Sequence, residues 1–111
     1  MRNIVRSLRF TEDVELRCQY LLPRAGRAKV DELLETVFHT LEHLANFPQS
    51  GPLREFDHPE LADLRFIPLP RPFQTLLVFF HIDGDTLLVE RLMHGYRDLP
   101  RRLLDPPDAE D

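Results

Sequence analysis

The chain has 111 residues, 42% hydrophobic and 30% charged, which suits one compact domain with a single core and leaves too little for a second. Its formal net charge is −5, but Asp105, Asp108, Glu110 and Asp111 fall in the last seven residues, so residues 1–104 carry only −1. A body that near neutrality argues against holding a polyanion by its phosphates, since each such contact depends on Lys or Arg displacing counterions; direct nucleic-acid binding is not expected.

No apolar run approaches the ~18 residues that span a bilayer, and Met1-Arg2-Asn3-Ile4-Val5-Arg6 lacks the uninterrupted apolar stretch of a signal peptide. The expectation is a cytoplasmic protein with no membrane partner. Cys18 is the only cysteine and has no internal disulfide partner; within an apolar periodic segment it reads as a small core residue rather than a nucleophile. Lys29 is the only lysine, so nearly all positive charge sits on arginine, the better residue for planar, bidentate contacts.

Val5 to Phe10 alternates apolar and polar side chains and predicts a short strand. A helix is expected from Thr11, with Thr11 as its cap, Glu12, Asp13 and Glu15 favouring the positive end of the helix dipole, and Pro23 and Gly26 bracketing its end. The second helix runs from about Arg27 to Phe47. Val30, Leu33, Leu34, Val37, Phe38, Leu41, Leu44 and Ala45 recur at three- and four-residue spacing and predict a broad core-facing stripe. Burying it contributes on the order of 10 to 20 kcal/mol gross, an upper bound before chain entropy. His39 and His43 have the four-residue spacing of helical metal ligands, but they sit opposite that stripe with no third ligand nearby in sequence, and they read as a solvated face. No metal or other cofactor is expected.

Pro48 stops the helix, and Pro48 to Pro52 is a turn by composition. After a polar stretch from Leu53 to Asp63, strand character returns at Leu64 to Leu69, where Pro68, Pro70 and Pro72 predict a short strand or a sheet edge. Leu76 to Ile82 and Leu87 to Met93 are two apolar runs joined at Asp83-Gly84, a dipeptide that favours a tight hairpin turn. The second run ends in His94-Gly95-Tyr96-Arg97-Asp98, a polar cluster that is either a site or a polar exit from a sheet. Leu99 to Leu104 suggests a helical turn and residues 105–111 a disordered acidic tail beyond a single domain over 1–104. His58 and His81 have no partner identifiable in the sequence. The layout is α+β: an N-terminal strand and a helical hairpin packed on a small antiparallel β-sheet.

Phe10 with Asp13, Leu44 to Pro48 followed by Gly51, Leu64-Arg65, the hairpin Leu76 to Leu92, and His94 with Arg97-Asp98 occur here in one order, across roughly Val5 to Leu103. This ordered set resembles the RelE/ParE superfamily of toxins from bacterial type II toxin–antitoxin modules. His94-Gly95-Tyr96-Arg97-Asp98 followed by Leu99-Pro100 is more similar to the ParE, or plasmid stabilization, branch. That resemblance implies a growth-inhibiting toxin that acts on DNA gyrase without being a catalyst and is neutralised by a cognate antitoxin, ParD-like or of another type. The RelE branch implies instead a ribosome-dependent mRNA endonuclease. A non-toxic protein-binding module with the same fold is a third reading.

Cleaving RNA through its own 2′-hydroxyl needs a base, an acid and a cationic clamp on the phosphate. Arg65, Arg91 and Arg97 suit a clamp but not a base, because arginine stays protonated. His94 is the nearby residue whose ordinary pKa lies near neutrality, with Tyr96 or Asp98 to assist. A nuclease would therefore use Arg65, Arg91, His94 and Tyr96. Against it stands Arg54-Glu55-Phe56-Asp57-His58-Pro59-Glu60, acidic on balance where RelE-type nucleases carry basic residues. Arg65, Arg91, His94, Tyr96, Arg97 and Asp98 are otherwise candidates for target or antitoxin contact. Three of them have a structural reading as well: Arg91 as a partly buried arginine paired with Glu90, Asp98 or a helical carboxylate, and Arg97-Asp98 as a local ion pair or a cap that fixes the strand end. Simple alternation puts Arg91 on one face with Val89 and Met93, and a bulge near Glu90 would change that face.

Overall fold

The computed structural model describes residues 2–51 and 63–95. Tyr96, Arg97, Asp98, the suggested turn at Leu99 to Leu104, the tail 105–111, His58 and most of the polar stretch after Leu53 lie outside the described residues.

The elements run β1 (Asn3–Arg6), α1 (Leu8–Ala25), α2 (Arg27–Asn46), a single 3-10 turn (Pro48–Ser50), β2 (Arg65–Pro68), β3 (Leu76–Asp83) and β4 (Thr86–His94). The strands form one sheet in the order β1-β4-β3-β2. β2, β3 and β4 are antiparallel neighbours, as expected, while β1 joins β4 in parallel, so the α+β sheet is mixed. β2 is an edge strand, where a proline without an N–H is tolerated, and Pro68 sits at its end opposite Leu77.

The first helix starts earlier than its acidic residues suggest. Ser7, not Thr11, is the cap: its side chain accepts from the Phe10 N–H at 2.9 Å. The strand expected over Val5 to Phe10 accordingly ends at Arg6. Pro23 lies inside the last turn of α1 rather than beyond it, and the chain turns into α2 at Gly26.

α2 matches its predicted span within a residue. Val30, Leu33, Val37, Leu41, Leu44 and Ala45 are buried, but Leu34 and Phe38 are 44% and 51% exposed, so the buried stripe is narrower than the apolar one. α2 packs on α1 and on the sheet, and Leu34 and Phe38 fall outside the core that these elements share. His39 and His43 lie on the exposed side, His39 beside Glu42 and His43 with its Nε2 3.1 Å from Ser50 Oγ.

The helices cover one face of the sheet. Phe10, Leu33, Val37, Leu41 and Leu44 meet Val78, Phe80, Leu87, Val89 and Leu92 in the main core. A second cluster of Leu64, Leu77, Phe79 and Met93, with Phe66 against it, occupies the opposite face, so β3 is buried on both sides through its first five residues. The hairpin turn is offset by one residue from Asp83-Gly84. Asp83 pairs with Thr86, leaving Gly84 and Asp85 as the central residues. Gly84 takes φ 57°, the positive value that favours glycine at the first central position of a II′-type turn.

Opposite Phe79 and Phe80 the register slips: Phe79 faces Arg91 and Phe80 faces Val89, which leaves Glu90 as the extra residue of a β-bulge. Strict alternation would keep Val89 and Met93 together. Here Val89 belongs to the helix-side core and Met93 to the cluster on the far face.

Candidate functional site

Arg91 is 2% exposed and Asp13, on α1, 6%. The guanidinium donates from Nε to Asp13 Oδ2 at 2.7 Å and from Nη2 to Oδ1 at 3.0 Å, the bidentate geometry that satisfies a carboxylate best. Asp13 Oδ2 also accepts the backbone N–H of Leu92 at 3.0 Å. The carboxylate named in the structural reading of Arg91 is thus the helical one, and Asp13 serves as an interior acceptor rather than as a dipole charge in a first turn.

This pair has a backbone role. β1 accompanies β4 only as far as Val89, beyond which the edge of β4 would be unpaired. The Ser7 N–H donates to Val89 O at 2.9 Å, the Ser7 hydroxyl to Glu90 O at 2.7 Å, and Asp13 receives the Leu92 N–H. Side chains from the start of α1 therefore complete the ladder that β1 leaves unfinished.

Further along β4, His94 meets Arg17, one helical turn beyond Asp13 on α1. Arg17 Nη2 lies 3.0 Å from His94 Nδ1. A guanidinium only donates, so this contact is a hydrogen bond in the tautomer whose Nδ1 carries the lone pair. His94 and Arg17 line a cavity of about 350 Å³ between the helical hairpin and the β2–β3 connection. Leu21, Leu33 and Leu76 supply apolar wall, and Pro72, Phe73 and Thr75 the side formed by the connection. Lys29 Nζ stands 5.8 Å from the centroid of the Phe73 ring and pairs with Glu32 at 2.9 Å. Tyr20 is overlaid by the guanidinium of Arg24 at 3.8 Å and that of Arg17 at 5.2 Å.

Arg65 lies apart from this group. It donates from Nη1 to Gly51 O at 3.0 Å and pairs across the sheet with Phe80, whereas His94 pairs with Leu76. Four residues along β3 and one strand on either side separate Arg65 from His94 by about 13 Å in one direction and about 10 Å in the other. The structure brings Arg91 together with Asp13, and His94 with Arg17; it does not gather Arg65, Arg91 and His94 into one cluster. His81, without a partner in the sequence reading, has its Nδ1 3.0 Å from Glu90 Oε2 on the neighbouring strand. Cys18 is half-buried against the core, and burial, then the nearby Glu15 carboxylate, pushes its thiol pKa up. Among the described residues no group of three or more His, Cys, Asp or Glu could hold a metal ion, and no helix is long and apolar enough to cross a membrane.

Sequence reasoning missed Arg17, Tyr20 and Lys29 as cavity residues. A signal for Arg17 was present: Phe10, Asp13, Val14, Arg17, Cys18 and Leu21 form one helical stripe, and charged residues at two positions of an otherwise apolar stripe mark interior partners.

The family model for the ParE toxin of the type II toxin–antitoxin system parDE matches residues 4–99. Among solved structures, one described as the chromosomal ParDE TA system from P. aeruginosa superposes with a TM-score of 0.69 at 14% identity, covering 86% of this chain and 98% of that one. At that identity the likeness speaks to the fold alone. No curated protein matches. With a family model matched over all but the ends of the sequence, the chain belongs to the ParE toxin family of type II toxin–antitoxin systems.

Proposed function

We propose that the chain arrests growth through DNA gyrase, as an inhibitor rather than a catalyst, and that a cognate antitoxin, ParD-like or of another type, neutralises it in the cytoplasm. The observation that carries this reading is membership of the ParE family across residues 4–99. Two features of the fold support inhibition over RNA cleavage. Arg91, one member of the nuclease set, is 2% exposed and held by Asp13. Arg65 and His94, two others, flank β3 from opposite sides and pair with it four residues apart, at Phe80 and Leu76. A base, an acid and a clamp need to converge within hydrogen-bond reach of one phosphate.

Expression in a bacterial host, with and without a co-expressed antitoxin, tests toxicity and neutralisation; growth arrest with rescue is expected. No arrest at confirmed soluble expression would favour a non-toxic binding module. With purified protein, accumulation of cleaved DNA in a gyrase supercoiling assay is the expected result. New ribosome-dependent mRNA ends by primer extension, without cleaved DNA, would overturn the gyrase reading in favour of an endonuclease.

A further inference from the structure

The helical hairpin has an outer side, turned away from the sheet, where apolar and acidic residues alternate along the seam between α1 and α2. On α1, Glu15, Cys18 and Leu22 recur at three- and four-residue spacing and share one flank. On α2, Leu34, Phe38 and Glu42 recur every four residues, with Glu35 beside them. The turn at Gly26 sets the helices antiparallel, so Cys18 and Leu34, each eight residues from it, lie level. Cys18 is half-buried in the seam, and the Glu15 carboxylate is near enough to act on its thiol. Leu22 is 50% exposed, and Leu34 and Phe38 are open as well. Among the described residues no cation pairs with Glu15 or Glu35; Arg27 is taken by Asp31, and Glu42 has His39 beside it.

We propose that this seam docks an amphipathic helix of a protein partner, one whose apolar stripe is bordered by Arg or Lys. The stripe seats on Leu22, Leu34 and Phe38, and the cations meet Glu15 on one side and Glu35 on the other. A helix suits the seam better than an extended strand, because the backbone groups of α1 and α2 are spent within the helices and leave a strand nothing to pair with. A second copy of this chain does not suit it, since the same carboxylates would face one another across a twofold axis. Docking here goes beyond the gyrase and antitoxin readings and requires neither. It is tested on the isolated full-length chain without a toxicity readout, so either can fail alone.

The probes are a blocked, Ala-rich helical peptide of about 18 residues with Leu at three- and four-residue spacing and Arg along both borders, the same peptide with Gln for every Arg, and a short oligoarginine without apolar residues. Each is titrated into isotope-labelled protein and followed by amide chemical shifts. We expect shifts at Glu15, Leu22, Leu34 and Phe38, and binding of the Arg peptide about tenfold tighter than the Gln peptide at low salt. That preference shrinks as salt rises from about 20 mM to about 300 mM. Glu15→Gln combined with Glu35→Gln removes most of it, and Phe38→Ser weakens both peptides. All three positions are exposed, and thermal unfolding confirms that the variants fold. Equal affinity for the Arg and Gln peptides, shifts elsewhere, or no shift at millimolar peptide would overturn the proposal. Oligoarginine binding as tightly as the Arg peptide would reduce the seam to a patch of negative charge. Self-association of the free chain, seen by sedimentation and abolished by Phe38→Ser, would make a second copy the occupant. Either result overturns the partner helix.

Discussion

Arg91 is tolerable inside the protein because Asp13 meets its guanidinium with both oxygens and uses one of them on the Leu92 N–H as well. Removing one partner strands the other charge in a medium that cannot hydrate it. Arg91→Met or Asp13→Leu is expected to lose about 3–5 kcal/mol, and the double variant, which removes both charges, to be less destabilised than either; urea unfolding measures this. Undiminished stability in the single variants, with toxicity lost, would return Arg91 to the functional candidates. Cys18 offers a second residue-scale expectation. Because burial raises its pKa, a smaller fraction is thiolate at a given pH than in the unfolded chain. At about pH 8.5, where an ordinary thiol is half ionised, iodoacetamide should alkylate the native protein more slowly than the urea-unfolded one, and equal rates would contradict the shift. The sequence narrowed the partner of Arg91 to a few carboxylates. It did not single out Asp13, because adjacency across 78 residues is set by tertiary packing.

At the scale of elements, legibility followed the strength of local signals. α2 was readable because its apolar spacing is sustained over its length, and β2 because prolines restrict where a strand can lie. The start of α1 was misread since Glu12, Asp13 and Glu15 mimic an acidic first turn, whereas Ser7 is the residue whose side chain caps the helix. The bulge at Glu90 was foreseen only as an alternative, since nothing local distinguishes a slipped register from a regular one. Gly51 was noted in sequence only as part of a pattern, and the structure supplies the reason. A Cβ there would lie 2.6 Å from the Phe80 ring and 2.8 Å from Phe66 O, so the segment after the 3-10 turn approaches the sheet as closely as backbone allows. Gly51→Ala is expected to destabilise by about 1–3 kcal/mol through overpacking, read as a lower melting temperature. An unchanged melting temperature would mean that this segment shifts freely.

For the molecule as a whole, the α+β class and the order of elements were legible, and the parallel seam between β1 and β4 was not. Short turns between late strands announce antiparallel neighbours; nothing comparable announces that the first strand returns to the last. That seam joins distant positions, with the Ser7 hydroxyl bonded to a carbonyl 83 residues away. β4 is also the strand that carries Arg91 and that α1 packs against, so it holds the structure between its two ends. A chain truncated to residues 1–85 should therefore show no cooperative thermal transition by circular dichroism, although it retains both helical sequences; a sharp transition would show that the helices fold without the seam. Contacts this non-local also slow folding, because loop closure precedes the reward. In a cell, the consequence concerns timing. A nascent copy cannot assume its native form until translation has passed residue 94, and a messenger broken or stopped before that point yields an inert fragment.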